Sequence, residues 1–285
     1  MIGLRATLTA AVAVAACAAT LSADVAGVAR SRDAVRLLHE RASAAASDLD
    51  ALAARLSEAT DAARSGAART VTGDEPPGPS LEAAARLLED AEPVASAARA
   101  AVDALRGAIQ LAGAGVAVEQ PVETGELSSV AAQLRATAAA ADAFAEMRRR
   151  TERVPVLLDQ ALAALGRGDL DEAERLADAA RTDHDAVSAW EVDLVTLPIW
   201  IETTDAMIAD VETIVRATRA GDRAAAEAAA HAFAGRSDEA TTADRALRIA
   251  IGEGGSAVSG APLRRLAELQ TRVSATREIA RGLTR

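Results

Sequence analysis

Between Thr182 and Val215 the chain carries eight carboxylates, Asp183, Asp185, Glu191, Asp193, Glu202, Asp205, Asp210 and Glu212, and no arginine. Both tryptophans, Trp190 and Trp200, fall in the same stretch on either side of Pro198, and Arg181 and Arg216 bracket it. Carboxylates accept hydrogen bonds and attract cations, and an indole face offers a stacking surface to a cation or a sugar ring. An acidic helical hairpin with two indoles near its turn therefore suits a basic protein, a cation or a sugar. Its candidate binding residues are Trp190, Trp200, Glu191, Asp193, Glu202 and Asp205. A purely structural reading uses the same side chains. The tryptophans are then the main core fillers of a chain with 1% aromatic residues, and the acids are neutralised by Arg264, Arg265, Arg272, Arg277, Arg281 and Arg285 near the C-terminus.

Other chemistry is sparse. Asp183-His184-Asp185 is the one cluster with metal-ligand residue types. Adjacent residues on a helix point about 100° apart, so the three do not close on one ion, and a solvated polar face is expected instead. His39, His184 and His231 lie on separate predicted helices, and no histidine follows a glutamate at the Glu-x-x-His spacing of carboxylate-bridged metal bundles. There is no His-Glu-x-x-His, no paired cysteine and no Gly-x-Ser-x-Gly. Gly252-Glu253-Gly254-Gly255 follows a helical pattern rather than a strand and lacks the lysine of a phosphate-binding loop. The residues thus point to a protein without catalytic residues, metal or cofactor.

All 31 basic residues are arginine, set against 42 acids for a net charge of −11. Nucleic-acid binding draws its affinity from clustered positive charge, so nucleic acid is excluded as the main partner. Arg148-Arg149-Arg150 is the densest basic cluster. Cations at a helix C-terminus complement the helix dipole, and the triplet is read as such an ending.

The amino terminus carries an address. Arg5 precedes an uncharged apolar run from Ala6 to Ala16, which has the length of a signal-peptide core and is too short for a bilayer span. Val14-Ala15-Ala16-Cys17 resembles the bacterial lipobox, in which the cysteine is lipidated and becomes the new terminus. The resemblance implies lipidation at Cys17 and a cell-envelope location, with ordinary cleavage and a retained N-terminal anchor as the alternatives. Cys17 is the only cysteine, so disulfides contribute nothing to stability.

Positioning falls to helices. Half of the residues are apolar and alanine, the strongest helix former, dominates them. From Val28 the apolar positions alternate by four and three: Val28, Val35, Ala42, Leu49, Leu56 and Ala63 form one set, and Leu38, Ala45, Leu52 and Ala59 the other. This is a heptad seam, the signature of a long helix packed at a shallow angle. Residues 71–80, rich in Pro and Gly, break it; Ser80 is then the expected cap of a second helix striped by Leu81, Ala84, Leu88, Ala91, Ala95, Ala98, Val102, Leu105, Ile109 and Ala112, kinked at Pro93. In the second half, Gly168-Asp169 and Gly221-Asp222 recur at an offset of 53 residues, each reading as helix, Gly-Asp turn, helix. Further breaks are expected at Val154-Pro155 and over Gly252–Pro262.

The predicted architecture is all-α with about eight helices. A leader or anchor over residues 1–23 precedes a long antiparallel heptad-seamed hairpin in 24–153, and 154–285 form a second helical-hairpin bundle. The function that follows is a non-enzymatic, exported, envelope-tethered scaffold or interaction protein. It meets the membrane through a lipid or N-terminal anchor and takes a basic protein or a second copy of itself as partner. The alternative is an extracytoplasmic ligand-binding or sensory module with its site near Trp190 and Trp200.

Overall fold

The computed structural model describes residues 3–72 and 75–285, residues 3–30 by their backbone alone. Cys17 and the Val14–Cys17 string, like the seam position Val28, thus lie outside the residues whose side chains are described. The described residues are all-helical, with seven helices: α1 (Gly3–Thr72), α2 (Gly78–Asp90), α3 (Glu92–Ala112), α4 (Glu126–Gly166), α5 (Leu170–Ser188), α6 (Leu197–Ala220) and α7 (Arg223–Gly282). Among them no helix is long and apolar enough to cross a membrane.

Seven helices replace the expected eight through three local differences. The stripe from Leu81 to Ile109 is buried throughout, but it is carried by two helices because the chain turns at Ala91 and restarts with Pro93 in the first turn of α3. Proline is tolerated there because its missing N–H is one of the donors a helix start leaves unpaired anyway. The other two expected breaks are absent. α4 runs through Pro155 and α7 through both Gly252–Gly255 and Pro262.

Buried surface explains the continuity. From Leu247 onward the buried positions of α7 are Leu247, Ile251, Gly255, Ser259, Pro262, Leu266, Leu269, Val273, Thr276 and Ala280, spaced by three or four across every predicted breaker. A glycine costs about 1 kcal/mol and an internal proline about 3 kcal/mol in a helix. Full burial of Leu247, Ile251, Leu266, Leu269 and Val273, at about 1.5–3 kcal/mol each, outweighs that. In α4, Met147, Val154, Leu157, Leu158 and Ala161 are buried on both sides of Pro155. The carbonyl that Pro155 leaves without its helical donor belongs to Thr151, whose own hydroxyl donates to the carbonyls of Met147 and Arg148.

The chain divides into two compact units. The first comprises residues 1–58, 87–129 and 266–285. Its α1 buries Ala42, Ala45, Leu49, Leu52 and Leu56, whereas Val35, assigned to the same stripe by spacing, is 60% exposed. The C-terminal part of α7 runs antiparallel to α1: Gln270 Nε2 donates to the Leu56 carbonyl at 3.3 Å and Arg281 forks onto Asp50 at 2.8 and 2.9 Å. Arg272 pairs with Glu126. The C-terminal arginines Arg272, Arg277 and Arg281 are therefore committed within this unit to Glu126 and Asp50, and they do not neutralise the 182–215 acids.

The second unit comprises residues 59–86 and 130–265. α5 and α6 run antiparallel, tied by Arg219 to Asp171 and Glu174 at one end and by Arg181 to Asp205 and Glu212 further along. At both Gly-Asp junctions glycine ends the preceding helix with positive φ, 78° at Gly168 and 73° at Gly221. The aspartate then caps the next helix, Asp169 accepting from the Glu172 N–H and Asp222 from the Ala225 N–H. At α2 the cap comes from elsewhere in the chain. Ser80 lies inside the helix, and the N–H of Gly78 donates to Asp142 Oδ1 of α4 at 2.7 Å.

Arg148-Arg149-Arg150 does not end a helix, since α4 continues to Gly166. Each of the three has a carboxylate partner instead: Arg148 Glu152, Arg149 Glu146, and Arg150 both Glu146 and Asp183.

Candidate functional site

Three helices of the second unit contribute one face each to a cavity of about 290 Å³. α4 supplies Val154, Pro155, Leu158 and Asp159; α6 supplies Trp200, Thr204 and Met207; α7 supplies Phe233, Ser237, Ala240, Thr241, Asp244 and Arg248. Spacings of three and four within each set are what a helix requires to present several side chains to one side.

Trp200 forms a fixed wall of this cavity. It sits in the first turn of α6, with its backbone N–H on the Thr196 carbonyl and Pro198 alongside at the helix start. The side chain is 1% exposed, and its indole stacks on the imidazole of His184 from α5, with ring centroids 5.6 Å apart and planes 27° from parallel. His184 is itself held by the Ile201 carbonyl, 3.1 Å from Nε2. A carbonyl only accepts, so Nε2 carries a proton in this contact. The metal-type cluster thereby resolves into three separate roles. Asp183 is buried between Arg150 and Arg153 of α4, His184 is buried under Trp200, and Asp185 is exposed. The expected solvated face is absent because α4 and α6 cover the first two positions. Among the described residues no group of three His, Cys, Asp or Glu side chains is arranged to hold a metal ion.

The polar centre of the cavity is Asp244, 8% exposed. Its Oδ2 pairs with Arg248 one turn along α7, while its Oδ1 is buried without a hydrogen-bond partner. Burial pushes the Asp244 carboxyl above the usual aspartate range; Arg248 and the nearby Trp200 indole N–H oppose that rise, and Glu152 adds to it. A carboxylate oxygen removed from water and left unpaired is costly, which marks this oxygen as an available acceptor.

The structure separates the six residues singled out by sequence. Trp200 lines the cavity; Trp190 is half-buried against the same core to which Trp200 belongs and does not line the cavity. Glu191, Asp193, Glu202 and Asp205 are exposed, and Asp205 is taken up by Arg181. The indoles therefore do not project together from a hairpin tip. Within the acidic stretch the neutralising arginines are Arg150, Arg153, Arg181 and Arg236, the last pairing with Asp210. Asp244, Arg248, Met207 and Phe233 were not legible as a site. Their helical spacing is visible in the sequence, but which face of α7 turns toward Trp200 is not.

Comparison with protein-family models, with curated proteins and with solved structures finds no match.

Proposed function

We propose that this chain is a non-catalytic, ligand-binding helical module of the cell envelope, with its site in the cavity beside Trp200. The observation that carries this reading is the conjunction of an aromatic wall with a buried, half-partnered carboxylate: Trp200 and Phe233 on the apolar side, Asp244 Oδ1 on the polar side. Largely apolar cavities with a few convergent polar groups are the usual form of a small-molecule site. The Gly-Asp junctions serve in this reading as the turns that join α4 to α5 and α6 to α7. Tethering through Cys17 belongs to the same proposal and rests on the Val14-Ala15-Ala16-Cys17 string.

The test follows Trp200 fluorescence in a Trp190→Phe variant, so that one indole reports. Small organic ligands are expected to shift the emission saturably, and Ala240→Phe, which fills the cavity from α7, is expected to abolish the shift with the circular dichroism retained. Equal responses with and without Ala240→Phe place the ligand elsewhere. For the address, Cys17→Ser is expected to release the protein from membranes, and unchanged retention removes the lipid tether.

A second reading, a helical interaction protein, draws on a different feature. Val195 and Ile199 are 87% and 55% exposed at the α5–α6 junction, close in sequence to the exposed Glu191, Asp193 and Glu202. An apolar tip ringed by acids fits a basic protein surface. Loss of pull-down by Val195→Ser/Ile199→Ser, with cavity ligands still bound, is the outcome that supports it.

A further inference from the structure

We propose that the ligand of the Trp200 cavity is a small organic ammonium ion with an apolar body, its N–H donors satisfying Asp244 Oδ1 and its hydrocarbon packing between Trp200 and Phe233. This rests on the cavity being a binding site and adds the chemical class of what it takes.

Three features together select a cation with an apolar body. The first is charge. The lining carries two carboxylates, Asp159 and Asp244, against the single guanidinium of Arg248, which is already paired with Asp244 Oδ2. Glu152 of α4 also acts on Asp244 with the same sign. The charged side chains lining the cavity therefore sum to one negative charge, and an anionic ligand would meet them unfavourably.

The second is hydrogen bonding. An ionised carboxylate has about four acceptor positions and no donor. Asp244 Oδ1 is buried and makes no hydrogen bond of ordinary geometry; the Trp200 indole N–H lies near the carboxyl but leaves acceptor positions open to a further donor. An ammonium supplies three donors and the charge that a desolvated carboxylate lacks.

The third is the apolar wall. Trp200, Phe233, Met207, Val154 and Leu158 form the larger apolar side chains of the lining. The face of an aromatic ring carries negative potential, and indole has the strongest. Trp200 has His184 stacked against its ring, so the indole is held in place before a ligand arrives. A hydrated inorganic cation would waste this wall, whereas an alkyl- or arylammonium uses both sides of the cavity. Thr204, Ser237 and Thr241 add hydroxyls along the lining.

The experiment uses the full-length protein at pH 7 and three probes of similar shape and different charge: 2-phenylethylamine, 2-phenylethanol and 3-phenylpropionate. Binding is read by calorimetry and by Trp200 emission in the Trp190→Phe background. The amine is expected to bind at least tenfold more tightly than the alcohol, and the carboxylate more weakly than either. Asp244→Asn, close in shape to the native residue, is expected to weaken the amine at least tenfold while leaving the alcohol within about threefold. Asp159→Asn, at the exposed rim, is expected to weaken the amine two- to threefold and serves if Asp244→Asn does not fold. The inference is overturned if the carboxylate or the alcohol binds as tightly as the amine, or if neither variant changes amine affinity. Failure of all three probes to reach the cavity, with Trp200 emission unmoved, overturns the site itself. Selectivity for the alcohol or carboxylate keeps the site and rejects only the cation.

Discussion

The imidazole of His184 stacks on the indole of Trp200 at 5.6 Å, although the two residues come from different helices, α5 and α6. One ring is thereby buried under the other and fastened by a contact to the Ile201 carbonyl. Aromatic stacking of this kind is worth about 0.5–1.5 kcal/mol beyond area burial, and a hydrogen bond contributes about 1 kcal/mol. His184→Ala is expected to cost about 2 kcal/mol of stability, read from urea unfolding. His184→Phe retains the stack and is expected to lose about half as much. Equal losses for both variants would show that the hydrogen bond alone matters.

Asp142 stands 64 residues from the helix start that it caps. Removing a capping side chain costs about 0.5–2 kcal/mol. Asp142→Ala is expected to lose stability in that range, and Asp142→Asn, which keeps an acceptor oxygen, to lose a smaller part. Hydrogen exchange at the Gly78 amide provides the local reading. It should accelerate in the alanine variant and remain protected in the asparagine variant.

Two glycines three residues apart on α7 are expected to respond with opposite sign. A Cβ on Gly255 would lie 2.7 Å from Cγ2 of Thr70, a fully buried, stiff side chain whose hydroxyl donates to the Gly66 carbonyl. A Cβ on Gly252 meets nothing within 4 Å. Gly255→Ala should therefore destabilise by about 1–3 kcal/mol through overpacking. Gly252→Ala should stabilise by about 0.5–1 kcal/mol through helix propensity. Thermal unfolding of the pair decides it, and stabilisation by both would mean that α7 does not pass close to Thr70.

Asp244 makes stability depend on pH in a defined direction. Burial raises its folded pKa above the ordinary aspartate value of 3.8, so the folded state holds this proton more tightly than the unfolded chain does. Its favourable contribution is full below pH 3.8 and is lost as pH rises through the folded value. The stability of Asp244→Asn relative to the native protein should accordingly grow from acid pH upward and then level off. Urea unfolding of both proteins from pH 3 to 7 measures the difference, and a gap that shrinks with rising pH has the wrong sign for a buried, under-partnered carboxylate.

How much of this was legible beforehand depends on the range of the interaction involved. Local signals sufficed at Gly168-Asp169 and Gly221-Asp222, where a positive-φ glycine and a capping aspartate act within one turn of the chain. They also sufficed for the buried stripe from Leu81 to Ile109, whose spacing is the helix period itself. The same local logic misplaced Gly252–Gly255 and Pro262 in a loop, because the penalties of those residues are intrinsic while the burial that outweighs them belongs to the whole of α7. It also read Arg148-Arg149-Arg150 as a helix ending, because Glu146, Glu152 and Asp183 could not be known to lie within reach.

The amino-acid sequence alone determined that the described chain is helical, since alanine content and three-four periodicity act within each segment and need no partner. It also singled out Trp190 and Trp200 together, through the rarity of indole in this composition. Only the tertiary structure decided that Asp244 and Phe233 of α7 share a cavity with Trp200 of α6 while Trp190 does not. Periodicity marks which side of a helix is buried, but the rotation and register of one helix against another arise from side-chain packing between segments far apart in the chain, and that information is not local.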